Sequence, residues 1–293
     1  MTMTAHASAA SASARKTAQS IKKGTASHAA VPDAILAMLD LADATWRTAL
    51  RAGLEALAEV NPDYLPALVE DQYLPTEGRL FAAFAQPLPA VRYILVGEGP
   101  YPRPESATGF CFMDGAVQSL WSESGLSKPV NRATSLRNFM KLLLVADGRL
   151  EPDNTSGAAM AHIAQEANAA DSDFIQTRAE LQQNLTDRGF LLLNAALVFR
   201  PHVPPLKEAK AWQPFLECVL EALERHAGES GKPLPTLVLW GKIAEQLKSV
   251  PALPDFPQAV SEHPYNLSFI LNPTMQALFG PMHLLQKSSD KRV

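Results

Sequence analysis

One apolar run in this chain ends in a polar turn of a kind that could bind or transform a ligand. Residues 94–96 (Ile-Leu-Val) lead at once into the turn 97–102, whose sequence is Gly-Glu-Gly-Pro-Tyr-Pro. Aliphatic residues that end abruptly in Gly and Pro are typical of a buried strand that leads into an irregular loop. Such loops, at the carboxyl ends of parallel strands, are where α/β proteins bind their ligands. The turn therefore brings Glu98 and Tyr101 to a predicted site.

Two further apolar runs end in a similar way. Residues 189–194 end at the amide of Asn194, and residues 236–241 end at Gly241. In an open parallel sheet the carboxyl ends of the strands lie along one edge. We therefore expect Asn194 and Gly241 to lie close to the turn that holds Glu98.

The side chains expected at this edge suit a planar, polar ligand such as a nucleobase. The amide of Asn194 can donate and accept hydrogen bonds at once, as the edge of a base requires. Phe112 and Tyr101 offer aromatic faces for stacking, and His263, in the polar loop 261–268, can donate to an oxyanion. Each residue also has an ordinary interpretation, because Asn at a strand end is commonly a turn former and a lone His is commonly structural.

The elements that position these residues follow from the periodicity of the apolar side chains. Helical spacing predicts helices over residues 32–60, 135–145, 212–226, 242–247 and 275–286. Continuous apolar runs predict buried strands over residues 91–96, 189–194 and 236–241. Residues 63–87 are predicted to be irregular or to form short helices, and residues 147–172 to be a surface excursion. Buried strands separated by helices predict an α/β three-layer sandwich with a central, mainly parallel sheet.

Composition bounds the class of protein. The chain has 293 residues, of which 47% are apolar, and a formal net charge of −4. No apolar run approaches the roughly 18 residues of a membrane span, so we expect a soluble, monomeric protein without a membrane partner. The two cysteines, Cys111 and Cys218, are too few for a metal cage and fit a reducing, cytoplasmic location. We expect neither a metal nor another cofactor.

The first 32 residues differ from the rest. Residues 1–32 are rich in Ala and Ser, hold four basic side chains and lack acidic ones. This composition predicts a disordered basic tail, since it cannot bury a core. A transit peptide and a phosphate-seeking arm are the alternatives. The remainder, 33–293, is predicted to be one domain.

Several reactive or charged residues outside the turn have ordinary structural interpretations. Cys111 is predicted to be a buried apolar group rather than a reactive thiol. Lys207, Glu208 and Lys210 are predicted to form a solvated helix face; a position near phosphate is the alternative for some of them, because Arg200 and His202 are close.

Six landmarks, taken in order, resemble the uracil-DNA glycosylase superfamily and especially its main branch. The turn 97–102 is similar to that branch's first motif, Gly-Gln-Asp-Pro-Tyr-His. The other landmarks are residues 109–112 (Gly-Phe-Cys-Phe), 135–138 (Ser-Leu-Arg-Asn, after an insertion around 117–130), 189–194 (Gly-Phe-Leu-Leu-Leu-Asn), 238–241 (Val-Leu-Trp-Gly) and 263–268 (His-Pro-Tyr-Asn-Leu-Ser). The resemblance implies the fold of that superfamily and a site that accepts a base flipped out of DNA.

By this resemblance, the predicted edge becomes a uracil pocket. Phe112 would stack on the base, and Asn194 would hydrogen-bond its polar edge. Tyr101, with Glu98 beside it, would line the ring and exclude thymine. His263 would be catalytic, donating to the base oxygen on which charge develops.

The resemblance also assigns residues to the DNA backbone. Leu267 would wedge into the gap that the flipped nucleotide leaves. Ser135 and Ser268 would hold phosphates, and Tyr265 stands in the same loop in place of a small Ser. DNA, single- or double-stranded and containing uracil, is the implied partner.

The first motif departs from the main branch at its catalytic position. Gly99 stands where that branch has the aspartate that orients water, Glu98 replaces Gln, and Pro102 replaces His. Thermophile-type branches have the similar pattern Gly-Glu-Ala/Gly-Pro and excise uracil without that aspartate, but they usually carry an iron–sulfur cluster, for which two cysteines are too few. Three interpretations stay open: a uracil-DNA glycosylase of base excision repair with altered water activation, in which Glu98 is a further catalytic candidate; a catalytically inactive DNA- or protein-binding member; and a glycosylase with changed base specificity.

Overall fold

A computed structural model describes residues 31–247, 250 and 255–287. The predicted basic tail, apart from its last two residues, lies outside the described residues. In the described part of the chain, no helix is both long and apolar enough to cross a membrane.

The centre of the structure is a parallel sheet. Within the described residues it has four strands, β1 (Tyr93–Gly97), β4 (Phe190–Asn194), β5 (Thr236–Trp240) and β6 (Gln258–Ser261), in the order β4-β1-β5-β6. A separate antiparallel hairpin joins β2 (Trp121–Ser122) to β3 (Gly125–Leu126). The register pairs the last residue of β1, Gly97, with the last residue of β4, Asn194. The carboxyl ends of these two strands are therefore level, as the sequence predicted.

The helices cover both faces of the sheet. They are α1 (Asp33–Ala37), α2 (Arg47–Val60), α3 (Tyr64–Val69), α4 (Lys128–Arg132), α5 (Thr134–Ala146), α6 (Gly157–Ala167), α7 (Arg178–Asp187), α8 (Pro205–Ser230), α9 (Ile243–Gln246) and α10 (Pro273–Phe279). Short 3₁₀ helices lie at Met38–Leu41, Ala44–Trp46, Arg79–Ala85, Leu88–Ala90, Leu267–Leu271 and Gly280–Met282.

Alternate side chains of each buried strand enter two separate cores. Leu191 and Leu193 of β4 pack with α2 and α8 on one face, whereas Phe190 and Leu192 pack with α5, α7 and α10 on the other. The same alternation holds for β1 and β5. A strand buried on both faces has no polar side, which is why its sequence is a continuous apolar run. The predicted three-layer α/β fold is confirmed.

Several elements differ from the prediction. The single helix predicted over residues 32–60 is divided into α1, two 3₁₀ helices and α2. Residues 147–172 are not only a surface excursion, because α6 lies within them and buries Met160 and Ile163. The last predicted helix is α-helical only to Phe279 and continues as a 3₁₀ helix to Met282, where the left-handed conformation of His283 (φ +50°) ends it before residue 286. The strand β6 was not predicted, because it is short and alternately buried, which gives no continuous apolar run.

Glu208 corrects another prediction, since it is not part of a solvated face. Its side chain is buried (residue exposure 2%), and its carboxylate accepts hydrogen bonds from Arg200 (Nε to Oε1, 2.6 Å) and from the hydroxyl of Tyr64 (2.6 Å). The Tyr64 hydroxyl in turn accepts from the indole N–H of Trp212 (2.7 Å). This buried network joins α3, α8 and the segment that follows β4.

We expect Glu208→Ala to destabilise the protein by about 3 kcal/mol, because it removes the nearer carboxylate from the buried Arg200 guanidinium, which keeps only Asp71 (3.3 Å), and also removes the acceptor of the Tyr64 hydroxyl. The free energy of unfolding in urea measures this loss. Lys207→Ala, at the exposed neighbouring position, is the control and should change stability by about 0.5 kcal/mol or less. Equal effects of the two substitutions would contradict the assignment.

Candidate active site

The carboxyl ends of β1, β4 and β5 border a cavity of about 260 Å³. Among its walls are seven residues that the sequence singled out, namely Glu98, Gly99, Tyr101, Phe112, Ser135, Asn194 and His263. Residues from six separate chain segments therefore meet at one place. The remaining predicted residues, Tyr265, Leu267 and Ser268, are not among those that line this cavity and lie on the loop that follows His263.

Close packing at the end of β1 explains the first glycine of the turn. A Cβ on Gly97 would lie 2.6 Å from Oδ1 of Asn194 and 2.9 Å from Cβ of Cys111. Only glycine lets Asn194 lie this near the backbone of β1. The Cys111 thiol is buried and donates to the carbonyl of Leu95 (3.1 Å), and burial raises the pKa of this thiol. Cys111 is the inert filler that the sequence predicted.

Asn194 lines the cavity and holds an unsatisfied polar atom. The residue is 4% exposed, and its Oδ1, buried close to Gly97, has no hydrogen-bond partner within the described residues. A buried acceptor without a donor costs about 1–3 kcal/mol. Close packing against β1 therefore holds a polar amide at the wall of the cavity.

Phe112 is held in place by two perpendicular rings. Its ring centroid lies 5.4 Å from that of Phe139 and 5.0 Å from that of Trp240. Its backbone has φ +64°, a left-handed conformation that bulky side chains rarely adopt. Strained conformations of this kind occur at functional sites, where the surrounding packing maintains them. The half-buried ring is therefore fixed as a wall of the cavity.

Tyr101 contributes a neutral wall beside Phe112. Its hydroxyl donates to the carbonyl oxygen of Phe112 (3.5 Å). Burial, with the negative charge of Asp114, raises the pKa of this phenol, so the hydroxyl stays protonated at neutral pH.

His263 is a neutral imidazole with a defined tautomer. The backbone N–H of Tyr265 donates to its Nδ1 (3.1 Å), so the ring proton of the neutral form is on Nε2. Burial lowers the pKa of His263 below its ordinary 6.5, although the charge of Glu98 works in the opposite direction. A Cβ on Gly241 would lie 2.8 Å from Cβ of His263, and Gly241 itself has φ +68°. The end of β5 therefore fits closely against the histidine.

Asn138 positions the histidine loop, a role that the sequence did not reveal. This residue of α5 is fully buried, and its Nδ2 donates to the carbonyl oxygens of Pro264 (2.7 Å), Tyr265 (3.4 Å) and Asn266 (3.4 Å). The signal available in the sequence was one amide among the apolar positions of a helix, which packing alone does not explain.

The loop after His263 exposes two large side chains. Tyr265 is 69% and Leu267 is 68% exposed. The Ser268 side chain hydrogen-bonds the carboxylate of Glu262. Burial raises the pKa of Glu262, but the hydrogen bonds from Ser268, the backbone and Asn272 outweigh it and hold this pKa below its ordinary value.

A side-chain Cβ would fit at position 99 without a steric clash. A Cβ there would have as its nearest neighbours the backbone oxygen and Cβ of Ala196, at 3.7 and 3.8 Å, which is ordinary contact. Packing therefore does not require glycine at position 99, in contrast to position 97. Glu98 is the one carboxylate among the residues described as lining the cavity.

We expect the imidazole of His263 to titrate below pH 6.5, followed by its ring-proton resonance in NMR spectra of the protein. Glu98→Gln should lower this pKa further, because it removes a negative charge that favours the imidazolium form. Glu229→Gln, an exposed position at the far end of α8, is the control and should leave the titration unchanged. A rise of the His263 pKa in Glu98→Gln would contradict this electrostatic picture.

Known proteins similar to this chain share one name. No protein-family model matches the chain. Uracil-DNA glycosylases from a Nocardioides species and from Thermobifida fusca are 32% and 30% identical to it, over 67% and 78% of this chain and 66% and 82% of their own lengths. The crystal structure of wild-type UNG from Nitratifractor salsuginis superposes with a TM-score of 0.77 at 40% identity, covering 86% of this chain and 96% of that one. The chain therefore belongs to the uracil-DNA glycosylase family.

Proposed function

We propose that this protein removes uracil from DNA by flipping the nucleotide into the cavity and hydrolysing its N-glycosidic bond, the first step of base excision repair. The observation that carries the proposal is that Asn194, whose buried Oδ1 has no partner within the described residues, lines one cavity together with Phe112 and His263. In a member of this family, an amide beside an aromatic ring supports recognition of uracil, whose polar edge would meet the amide while its face stacks on the ring.

The chemistry of the leaving group suits these residues. When the bond between the sugar and the base breaks, its electron pair leaves with the base, and negative charge develops on a base oxygen. The Nε2–H of neutral His263 is a donor for that oxygen, and the amide of Asn194 can bond the remaining polar edge. Phe112 stacks on the ring, and the neutral Tyr101 fills the space where thymine carries its methyl group.

Water must then add to the sugar and lose a proton. No side chain at Gly99 can accept that proton, so we assign this role to the carboxylate of Glu98, which also opposes the positive charge that develops on the sugar. General-base assistance is worth about 10²- to 10⁴-fold in rate. In an enzyme whose general base is displaced in this way, excision would be slower but not abolished.

The exposed loop fits the DNA side of the proposal. Leu267 is the wedge that enters the duplex, with Tyr265 beside it, and Ser135 and Ser268 bind phosphates. DNA is the proposed partner. The single domain over residues 33–293, the monomeric state and the cytoplasmic location stay predictions.

Gly99 and Glu98 also support a second candidate. A family member without the aspartate could bind DNA or a protein without cleaving, or accept a base other than uracil because Glu98 makes one wall of the cavity acidic. Retained, salt-dependent DNA affinity with no turnover would favour the binding protein. Excision of hypoxanthine, xanthine or an oxidised pyrimidine in preference to uracil would favour changed specificity.

We expect the wild-type protein to cleave a uracil-containing oligonucleotide after alkali treatment, and His263→Ala and Asn194→Ala to lose about 10²- to 10³-fold of the excision rate, the usual cost of a lost oxyanion donor. Exposed residues of the same types give the controls, His162→Ala and Asn61→Ala, which should keep the wild-type rate. Absence of excision from both single- and double-stranded substrates by the wild type would refute the proposed function.

Gly99→Asp tests the water-activating position. Because a Cβ at residue 99 makes only ordinary contacts, we expect this variant to fold and to raise the single-turnover rate by about 10²-fold or more. Glu98→Gln should lower the rate in the wild-type background and lower it less in Gly99→Asp. A Gly99→Asp variant that is stable but no faster would show that residue 99 does not limit the reaction.

A further inference from the structure

We propose that a second cavity, beside the exposed Leu267, binds a backbone phosphate of DNA through Arg137 and Lys141. This inference rests on the proposed function to the extent that the bound polymer is DNA. The cavity has a volume of about 310 Å³. It is lined by Ser124, Gly125, Leu126, Asn131, Arg137, Lys141, Gly157, Met160 and Leu267.

The two cations lie on one face of α5. Residues 137 and 141 are four apart, so their side chains are neighbours on the helix surface. The Nζ of Lys141 donates to the carbonyl of Thr155 (2.6 Å), and Arg137 donates to Oδ1 of Asn138 (3.3 Å) and to the carbonyl of Asn131 (3.5 Å). All three acceptors are neutral, and the positive charges remain uncompensated by them.

Several other arginines of the described residues are paired with carboxylates. Arg103, Arg149 and Arg200 each contact a carboxylate, at 3.4, 2.9 and 2.6 Å. In the described residues, neither Arg137 nor Lys141 has a carboxylate within 4.0 Å, and the cavity lining contains no acidic side chain. Burial and the nearby Arg137 charge also lower the pKa of Lys141, a cost that a bound anion would offset.

Other residues that line the cavity also favour the binding of an anion. α6 begins at Gly157, which lines the cavity, and the first residue of an 11-residue helix carries partial positive charge. The hairpin of β2 and β3, which packs against α6, supplies Ser124 and Gly125. Most of this wall comes from residues 117–130 and 147–172, which the sequence marked as an insertion and an excursion.

The length of α5 between the two cavities indicates which phosphate the second one would bind. It is a phosphate of the same nucleic acid whose base enters the cavity lined by Asn194 and His263. Ser135 of this helix lines the base cavity, and Lys141 lies ~9 Å further along the helix axis at 1.5 Å per residue. Successive nucleotides of one DNA strand advance by about 3.4 Å. The second cavity therefore faces a phosphate within about three nucleotides of the flipped one, on the side where Leu267 projects.

Salt dependence of DNA binding tests the charge. The probe is a duplex with a stable tetrahydrofuran abasic analogue, which binds without being cleaved, titrated from 50 to 200 mM KCl. We expect Arg137→Gln with Lys141→Gln to weaken binding about tenfold and to reduce the slope of log K against log salt by about 0.9, the value for one duplex phosphate. Arg225→Gln and Lys232→Gln, exposed basic positions on the opposite helix layer and just after it, are the controls and should leave the slope unchanged.

Neutral methylphosphonate linkages then locate the phosphate. We expect one position near the abasic analogue where this replacement weakens wild-type binding about tenfold but affects the double variant little, because the partner charge is already gone. The double variant Arg137→Lys with Lys141→Arg conserves both charges and should keep the wild-type salt slope. It therefore distinguishes an effect of lost charge from an effect of misfolding. Equal effects of every methylphosphonate on both proteins, or an unchanged slope in a folded double variant, would overturn the site. Since these are binding measurements, they stand even where the wild type excises no uracil.

Discussion

The close approach of two strand ends is the constraint on which the site depends. Gly97 and Asn194 are paired in register, and the absent side chain of Gly97 leaves the space that the Asn194 amide occupies. The backbone continues this pairing beyond the sheet, since Ala195 donates to the carbonyl of Gly97 (2.8 Å) and Ala196 to that of Glu98 (3.2 Å). The turn after β1 is therefore fixed by the segment after β4, and any side chain at position 97 would displace the amide.

Much of the fold and most of the site were predictable because they follow from local patterns. A strand buried on both faces must be a continuous apolar run, so β1, β4 and β5 are visible in the sequence. Parallel strands bring their carboxyl ends to one edge, which is why Asn194 and the turn that holds Glu98 meet at the predicted site. The periodicity of the sequence did not indicate the chemistry of this edge. Only the resemblance of the motifs to a known family did.

The features that the sequence missed depend on contacts between distant segments. Glu208 sits among Lys207 and Lys210 and has the pattern of an exposed helix face, yet Arg200 and Tyr64 draw its carboxylate into a buried network. Nothing within one helical turn distinguishes a carboxylate of this kind from a solvated one. The strand β6 was missed for a related reason, because an edge strand that is half exposed lacks the continuous apolar signal.

One helix, α5, connects the parts of the site that must act together. Ser135 in its first turn borders the base cavity, Asn138 fixes the carbonyls of the His263 loop, and Arg137 and Lys141 face the second cavity. Asn138 therefore ties the loop of His263 and Leu267 to the helix that borders both cavities. Because a packed helix moves as a unit, these parts keep a constant spacing, which the proposed flipping of a nucleotide into a fixed cavity would need.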